Sequence, residues 1–399
     1  MISKRKAIIG ALLIFILTTI LNFTVGSWIT SPLGFGYAIP KGEYKQYEKF
    51  LVLKDYLQKN YYKEIDEEKL VEGAIKGMFE SIGDPYTQYM DSKEFGDLMT
   101  RTQGTYGGIG VIVTPGDDGY VTVVSPIEDT PGEKAGLIPG DRIVAVNGEA
   151  ISGDKLDYAV ELMKGKAGTE VKLTILRDGK DKTFDVNIER EEIRLKTVRS
   201  EVIENDIGYI RITMFDEQTA QDFKTHLDGL KKKNVKGIVL DLRNNPGGLL
   251  DQCVEIADII LGEQVIVYTE DRNGSRNVEK SDKKQLELPL TVLVNKGSAS
   301  ASEILSGAIK DGNKGKIIGT TTFGKGLVQQ VKPLSDGTGF KFTISEYFTP
   351  NGTNIHGTGI EPDIVVELPG QDETETTVEV QEDTQLKKAI EVLKSEIKK

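Results

Sequence analysis

Between residues 207 and 333 β-rich and helical apolar patterns alternate, and this alternation constrains the fold more than any other feature of the chain. Strand-like runs at 207–213 and 237–242 flank a helical run at 219–233. A helix at 249–261 is followed by strands at 265–269 and 290–295, a helix at 301–310, and strands at 316–320 and 327–333. Strands interleaved with helices predict a mixed sheet covered by helices, in a region of about 191–369. The chain ahead of it carries two other patterns. Over 41–99 the apolar residues Tyr47, Phe50, Leu51, Leu53, Tyr56 and Leu57 recur at helical spacing, as do Leu70, Ala74, Ile75, Met78, Phe79 and Ile82, and Gly83-Asp-Pro85 ends the second run. These faces pack either on a core of their own or on a second chain. Over 100–190 short β-rich runs at 109–114, 119–125, 142–146, 171–177 and 183–188 are interrupted by helical pieces near 133–135 and 154–163. The expected class is a multidomain chain of α/β and α+β parts.

Neither end reads as part of these domains. Residues 1–6 are basic, and 7–25 are apolar and uncharged. Nineteen residues at helical rise cross a bilayer, and the basic residues in front keep that end cytoplasmic. The expectation is a membrane helix acting as a signal anchor, then a spacer over 26–40, with the rest of the chain extracytoplasmic. A cleaved signal peptide competes, but the run is long for one and no small-x-small site follows it directly. At the other end, 370–384 is an acidic, Thr-rich linker, and 385–399 reads as an amphipathic helix with Leu386, Ala389, Ile390, Leu393 and Ile397 on one face. It is too short to be stable alone and is expected to dock. The net charge of −12 argues against non-specific nucleic-acid binding. The lone Cys253 lies in an apolar helical pattern and reads as a small core residue.

The module over 100–190 carries a peptide-binding pattern. Gly107-Gly-Ile-Gly110 leads into Val111-Ile-Val113, so backbone N–H groups can converge on a carboxylate beside a strand edge. Pro131-Gly-Glu-Lys-Ala-Gly-Leu137, Pro139-Gly-Asp-Arg-Ile143 and the hairpin signal Asn147-Gly148 follow. Together these resemble a PDZ domain. The resemblance implies that Gly108, Ile109, Gly110 and Val111 meet the carboxyl-terminal residues of a polypeptide.

The α/β region carries nucleophile chemistry. Lys296-Gly-Ser-Ala-Ser-Ala-Ser-Glu303 sets Ser298, Ser300 and Ser302 at the start of the 301–310 helix. Free N–H groups and positive potential there favour an alkoxide and an oxyanion. Ala301, Ile304, Leu305 and Ala308 mark the helix's buried face, which places the serines at its polar rim. Each could equally be a plain N-cap. A serine needs a base, and with two histidines in the chain Lys325, in Phe323-Gly-Lys-Gly326, is the more credible one. No acidic residue lies within ten positions of it, and desolvation would favour the neutral amine; a solvated loop lysine is the alternative. Gln329 could orient the amine without adding charge. The glycines of Asn244-Asn-Pro-Gly-Gly248 allow close backbone approach to a substrate.

These motifs, with Thr349-Pro-Asn-Gly352 and Gly359-Ile-Glu-Pro-Asp363, resemble the carboxyl-terminal processing (tail-specific) proteases over about residues 45–369. The resemblance implies a helical N-terminal segment, a PDZ domain and a Ser–Lys protease core. It places the nucleophile at Ser300, the general base at Lys325 and an assisting amide at Gln329. Oxyanion donors would be the backbone N–H of Ala301 and of Gly247 or Gly248. It implies polypeptide substrates with free C-termini, a PDZ module that binds tails or regulates access, and no metal or nucleotide cofactor. A homodimer through the terminal helices and a regulatory protein partner are compatible with it. Competing readings are weaker. His226 and His356 lack the setting of a triad base, no His-Glu-x-x-His is present, and a catalytically silent PDZ scaffold would be expected to have lost Ser300 or Lys325.

Overall fold

A computed structural model describes residues 44–116, 118–180, 182–367 and 383–398. The expected membrane helix at 7–25, the spacer and residues 370–382 of the acidic linker lie outside the described residues. Among the described residues no helix is long and apolar enough to cross a membrane. The chain divides into two compact units, one running to Asp97 and including Val328–Ser345, the other comprising Leu98–Leu327 and Glu346–Lys399.

In the first unit helices Tyr44–Asn60 and Glu67–Glu80 follow the predicted periodicity. Asp66 caps the second, accepting from the N–H groups of Glu68 and Lys69. Leu51, Tyr56 and Met78 are more than half exposed. A strand absent from the sequence reading, Gln88–Met90, pairs antiparallel with 339–341; three residues are too few to show a period. Asp84 accepts from the hydroxyls of Thr87 and Thr343 at 2.6 and 2.5 Å and secures that pairing.

The second unit opens with the α+β module. Its antiparallel sheet runs in the order Val111–Pro115, Val121–Pro126, Arg142–Val146, Glu170–Leu176, Phe184–Glu189. Ile109, Val121, Val123, Ile143, Leu173 and Ile175 form its core. Asn147 and Gly148 both have positive φ, 52° and 83°, as the hairpin signal requires. Val111–Pro115 is an edge strand, with one side unpaired in the sheet.

A second sheet contains β1 (Val198–Ile203), β2 (Ile207–Ile212), β3 (Gly237–Asp241), β4 (Leu290–Val294), β5 (Lys316–Gly319) and β6 (Ile364–Val365), in that order. β1 and β2 are antiparallel; all later pairs are parallel. Every residue of β3 and β4 is buried, as expected of parallel strands covered on both faces. Helices α1 (Thr219–Lys232), α2 (Leu250–Ile260) and α3 (Ala301–Asp311) supply cover, and α4 (Thr384–Ile397) docks separately. Ala389 and Leu393 of α4 are fully buried against Ile207, Val239, Leu293 and Ile318, which bears out the expectation of a docked helix. Cys253 is fully buried, also as expected.

A polar link fastens the start of α4. The Arg243 guanidinium donates to both carboxylate oxygens of the buried Asp241 and to both of Asp383. Burial is the largest single influence on Asp383 and disfavours its ionisation, but the hydrogen bonds and charge of Arg243 and the N–H groups of Leu386 and Gln385 together hold its pKa below the usual carboxylate range. Its share of the attachment is therefore present at neutral pH and lost as the pH falls through that depressed value. The larger share is apolar: Leu393→Ala should cost about 2–5 kcal/mol, read as a lower denaturant midpoint. An unchanged midpoint would show that α4 contributes little to this core.

Candidate active site

β3 and β4 are parallel neighbours, so the loops leaving their carboxyl ends lie side by side. Open α/β sheets bind ligands at such ends. The loop after β3 is Asn244-Asn-Pro-Gly-Gly248; the loop after β4 ends at Ser300. Two amides join them. Asn295 Oδ1 accepts from the Asn244 N–H at 2.9 Å, and Asn295 Nδ2 donates to Asn244 Oδ1 at 3.0 Å. The fully buried Asn245 is the hub. Its Nδ2 donates to the Ile212 carbonyl, its Oδ1 accepts from the Gly247 N–H, and its carbonyl accepts from the Ala299 N–H and the Ser302 hydroxyl.

The three serines separate by burial. Ser298 and Ser302 are wholly inaccessible. Ser298 Oγ donates to the Leu242 carbonyl at 2.8 Å and accepts from the Asn295 N–H; Ser302 Oγ donates to the Asn245 carbonyl at 3.0 Å. Placing all three at a polar rim was therefore wrong for two of them, whose hydroxyls satisfy buried backbone. Ser300 alone is partly exposed. It sits at φ 53°, ψ −114° immediately before α3, a conformation costing about 1–3 kcal/mol for a side-chain-bearing residue and typical of functional sites.

The Pro-Gly-Gly turn lies against this serine. A Cβ on Gly247 would stand 2.8 Å from Ser300 Cβ and 2.9 Å from the Ala301 nitrogen, and one on Gly248 would meet the Phe215 carbonyl oxygen at 2.0 Å. Both glycines have φ in the range L side chains avoid, 98° and 147°. The Gly247 N–H is taken up by Asn245, whereas Ala301 is the first residue of α3, so its N–H has no partner within the helix.

Glu303 links this turn to the Lys325 loop. It is fully buried. One carboxylate oxygen accepts from the Thr322 hydroxyl at 2.6 Å and the Gly324 N–H at 2.7 Å; the other accepts from the N–H groups of Ser300 at 2.8 Å and Lys325 at 2.9 Å. The Phe323 N–H adds a bond to the Ser298 carbonyl at 3.0 Å. Lys325 thus has a carboxylate on its own backbone, although none lies near it in sequence. The sequence reading assigned Glu303 no part; its position as the fourth residue of Ser-Ala-Ser-Glu, a capping-box spacing, was the available signal. Lys325 is half-buried. Gln329 lies on strand Leu327–Pro333, in the first unit, with its side-chain Nε2 buried and without a hydrogen-bond partner among the described residues.

The histidines fall elsewhere. His226 on α1 is hydrogen-bonded through Nδ1 to Ser200 at 2.7 Å. His356 has its backbone against Gly326 and its side chain exposed. In the smaller module, Gly107 and Gly108 belong to strand Thr105–Gly108, which pairs with Glu191–Arg194. Ile109 is 3% exposed as a whole residue and packs in the core, and its carbonyl accepts from the Gly132 N–H at 2.6 Å.

Comparison with known proteins accords with this layout. Residues 206–366 match the profile of Peptidase family S41, 107–188 match a PDZ domain, and 35–94 match the activating protease CtpB N-terminal domain. The chain is 44% identical over 334 residues to the carboxy-terminal-processing protease of Bartonella bacilliformis, covering 82% of this chain and 76% of that one. It is 42% identical over 315 residues to the carboxy-terminal processing protease CtpA of Bacillus subtilis, covering 78% and 67%. Among solved structures, the photosystem II D1 C-terminal processing protease aligns over 80% of this chain and 92% of that chain, at 31% identity and a TM-score of 0.46. On the extent of the sequence matches to the two bacterial relatives, the chain belongs to the carboxy-terminal-processing proteases, serine-type peptidases of family S41 that carry a PDZ domain.

Proposed function

We propose that this chain is a membrane-anchored, extracytoplasmic endopeptidase in which Ser300 is the nucleophile and Lys325 its general base. The observation that carries the reading is Ser300 itself, the one serine of the three that is accessible, in a strained turn at a helix start. A neutral Lys325 amine takes the Ser300 hydroxyl proton as Oγ attacks the scissile carbonyl. The negative oxygen of the tetrahedral intermediate is stabilised by backbone donors. Ala301 N–H is one; since Asn245 already holds the Gly247 N–H, Gly248 is the better second. The lysine then gives the proton to the leaving amine, and water hydrolyses the acyl-enzyme with Lys325 again as base. The edge strand Val111–Pro115 takes up the substrate's carboxyl-terminal residues by strand addition. The uncharged run at 7–25 anchors the chain.

The test is cleavage of an unfolded polypeptide with an apolar carboxyl terminus by protein lacking residues 1–30, with a terminally amidated substrate alongside. Lys325→Ala should abolish cleavage, and His356→Ala should leave it near the parent's rate. Because the base must be neutral, the parent's rate should rise about tenfold per pH unit below the amine's pKa. Inactivity of His356→Ala with an active Lys325→Ala would overturn the assignment, as would a flat profile from neutral to alkaline pH. Amidation should slow cleavage if the edge strand reads a free carboxylate. Anchoring predicts that the full chain sediments with membranes and that removal of residues 1–30 releases it.

A further inference from the structure

Ser300 needs its strained backbone held on both sides. Glu303 holds the N–H side. On the carbonyl side stands Tyr347, near the end of strand Gly339–Phe348 and 1% exposed. Its hydroxyl donates to the Ser300 carbonyl at 3.1 Å, and its backbone N–H donates to the Gly326 carbonyl at 3.0 Å. One residue therefore grips the proposed nucleophile through its side chain and the residue after the proposed base through its main chain. Burial first, and the nearby Glu303 charge second, push the phenol's pKa well above its ordinary value. The group is thus a hydrogen-bond donor across the working pH range.

The Ser300 carbonyl does not need this bond to be satisfied, since it already accepts from the N–H groups of Glu303 at 2.8 Å and Ile304 at 2.9 Å. What the third donor adds is direction. The two helical bonds fix the carbonyl relative to α3, whereas the phenol fixes it relative to the strand that also holds the Lys325 loop. We propose that Tyr347 is a positioning residue that sets Ser300 against Lys325, acting through the Ser300 peptide without touching substrate. This rests on the Ser300–Lys325 reading above.

The test is Tyr347→Phe, which removes the hydroxyl and keeps the buried ring. A fluorophosphonate probe would be used to titrate reactive Ser300, and kcat would be expressed per labelled molecule, so that misfolded protein is not counted. Misplacing the reacting atoms by a fraction of an ångström should lower kcat and the rate of probe labelling together, about tenfold to a hundredfold, with KM within twofold of the parent. A structural role alone would lower the melting temperature and leave both rates per labelled molecule unchanged, and that result would overturn the proposal. So would a raised KM with kcat intact. The underlying reading fails differently: the parent would label at a residue other than Ser300, or Ser300→Ala would still cleave, whatever Tyr347→Phe does.

Discussion

Ser300→Ala is expected to leave no measurable proteolysis in a protein that melts within a few degrees of the parent. The accessible hydroxyl is removed, while the N–H and carbonyl of residue 300 keep their partners on Glu303 and Ile304. Losing a nucleophile of this kind costs on the order of 10³-fold or more in kcat. The neighbouring serines should behave in the opposite way. In Ser298→Ala and Ser302→Ala, the carbonyls of Leu242 and Asn245 lose buried donors, at about 1–3 kcal/mol each. Stability should fall while activity per folded molecule survives. Paired cleavage and melting measurements on the three variants check this. A folded, inactive Ser302→Ala beside an active Ser300→Ala would move the nucleophile and sink the assignment.

The second large effect should come from Glu303→Gln. The two shapes are nearly identical, so no cavity arises. Each carboxylate oxygen of Glu303 accepts two donors: Thr322 and Gly324 on one side, Ser300 and Lys325 on the other. An amide has one oxygen and one NH₂, so one orientation sets the NH₂ against the backbone N–H groups of Ser300 and Lys325, and the other sets it against that of Gly324, where the Thr322 hydroxyl can turn to accept. At about 1–3 kcal/mol for each unsatisfied group, the loss is about 1–6 kcal/mol, a sizeable share of a typical domain's stability. If the amide turns its NH₂ toward Ser300 and Lys325, the turns bearing the proposed nucleophile and base also lose their common tether. Glu303→Gln should therefore lower both the denaturant midpoint and the kcat of the molecules that remain folded. Parent-like values for both would show that the carboxylate link is dispensable.

The legibility of this protein follows the range of the interactions involved. The 219–233, 249–261 and 301–310 helices and the strands beginning at 207, 237, 290 and 327 were readable because their apolar periods repeat over enough residues. Gln88–Met90 and Ile364–Val365 were not, because strands of two or three residues are selected by the partner they pair with; Arg276–Lys280 was not because it is polar and largely exposed. The longer Val198–Ile203 and Gly339–Phe348 were also passed over, and their alternation of buried and exposed positions is irregular. At the site, Lys325 and the serine turn stood out by residue type and motif, yet the residues alone left Ser298, Ser300 and Ser302 equivalent, and the family resemblance had to choose among them.

The sequence by itself determined the order of the domains, the family, and the short list of groups able to perform acyl transfer. These depend on residue identity, turn chemistry and local period, all carried by neighbours along the chain. Only the tertiary structure decided which serine is accessible, which glycine N–H is already occupied, and that Asn245, Glu303 and Tyr347 hold the site together. Those facts are hydrogen bonds between residues up to 57 positions apart. A buried donor or acceptor shows no sign in sequence of the partner that folding brings to it.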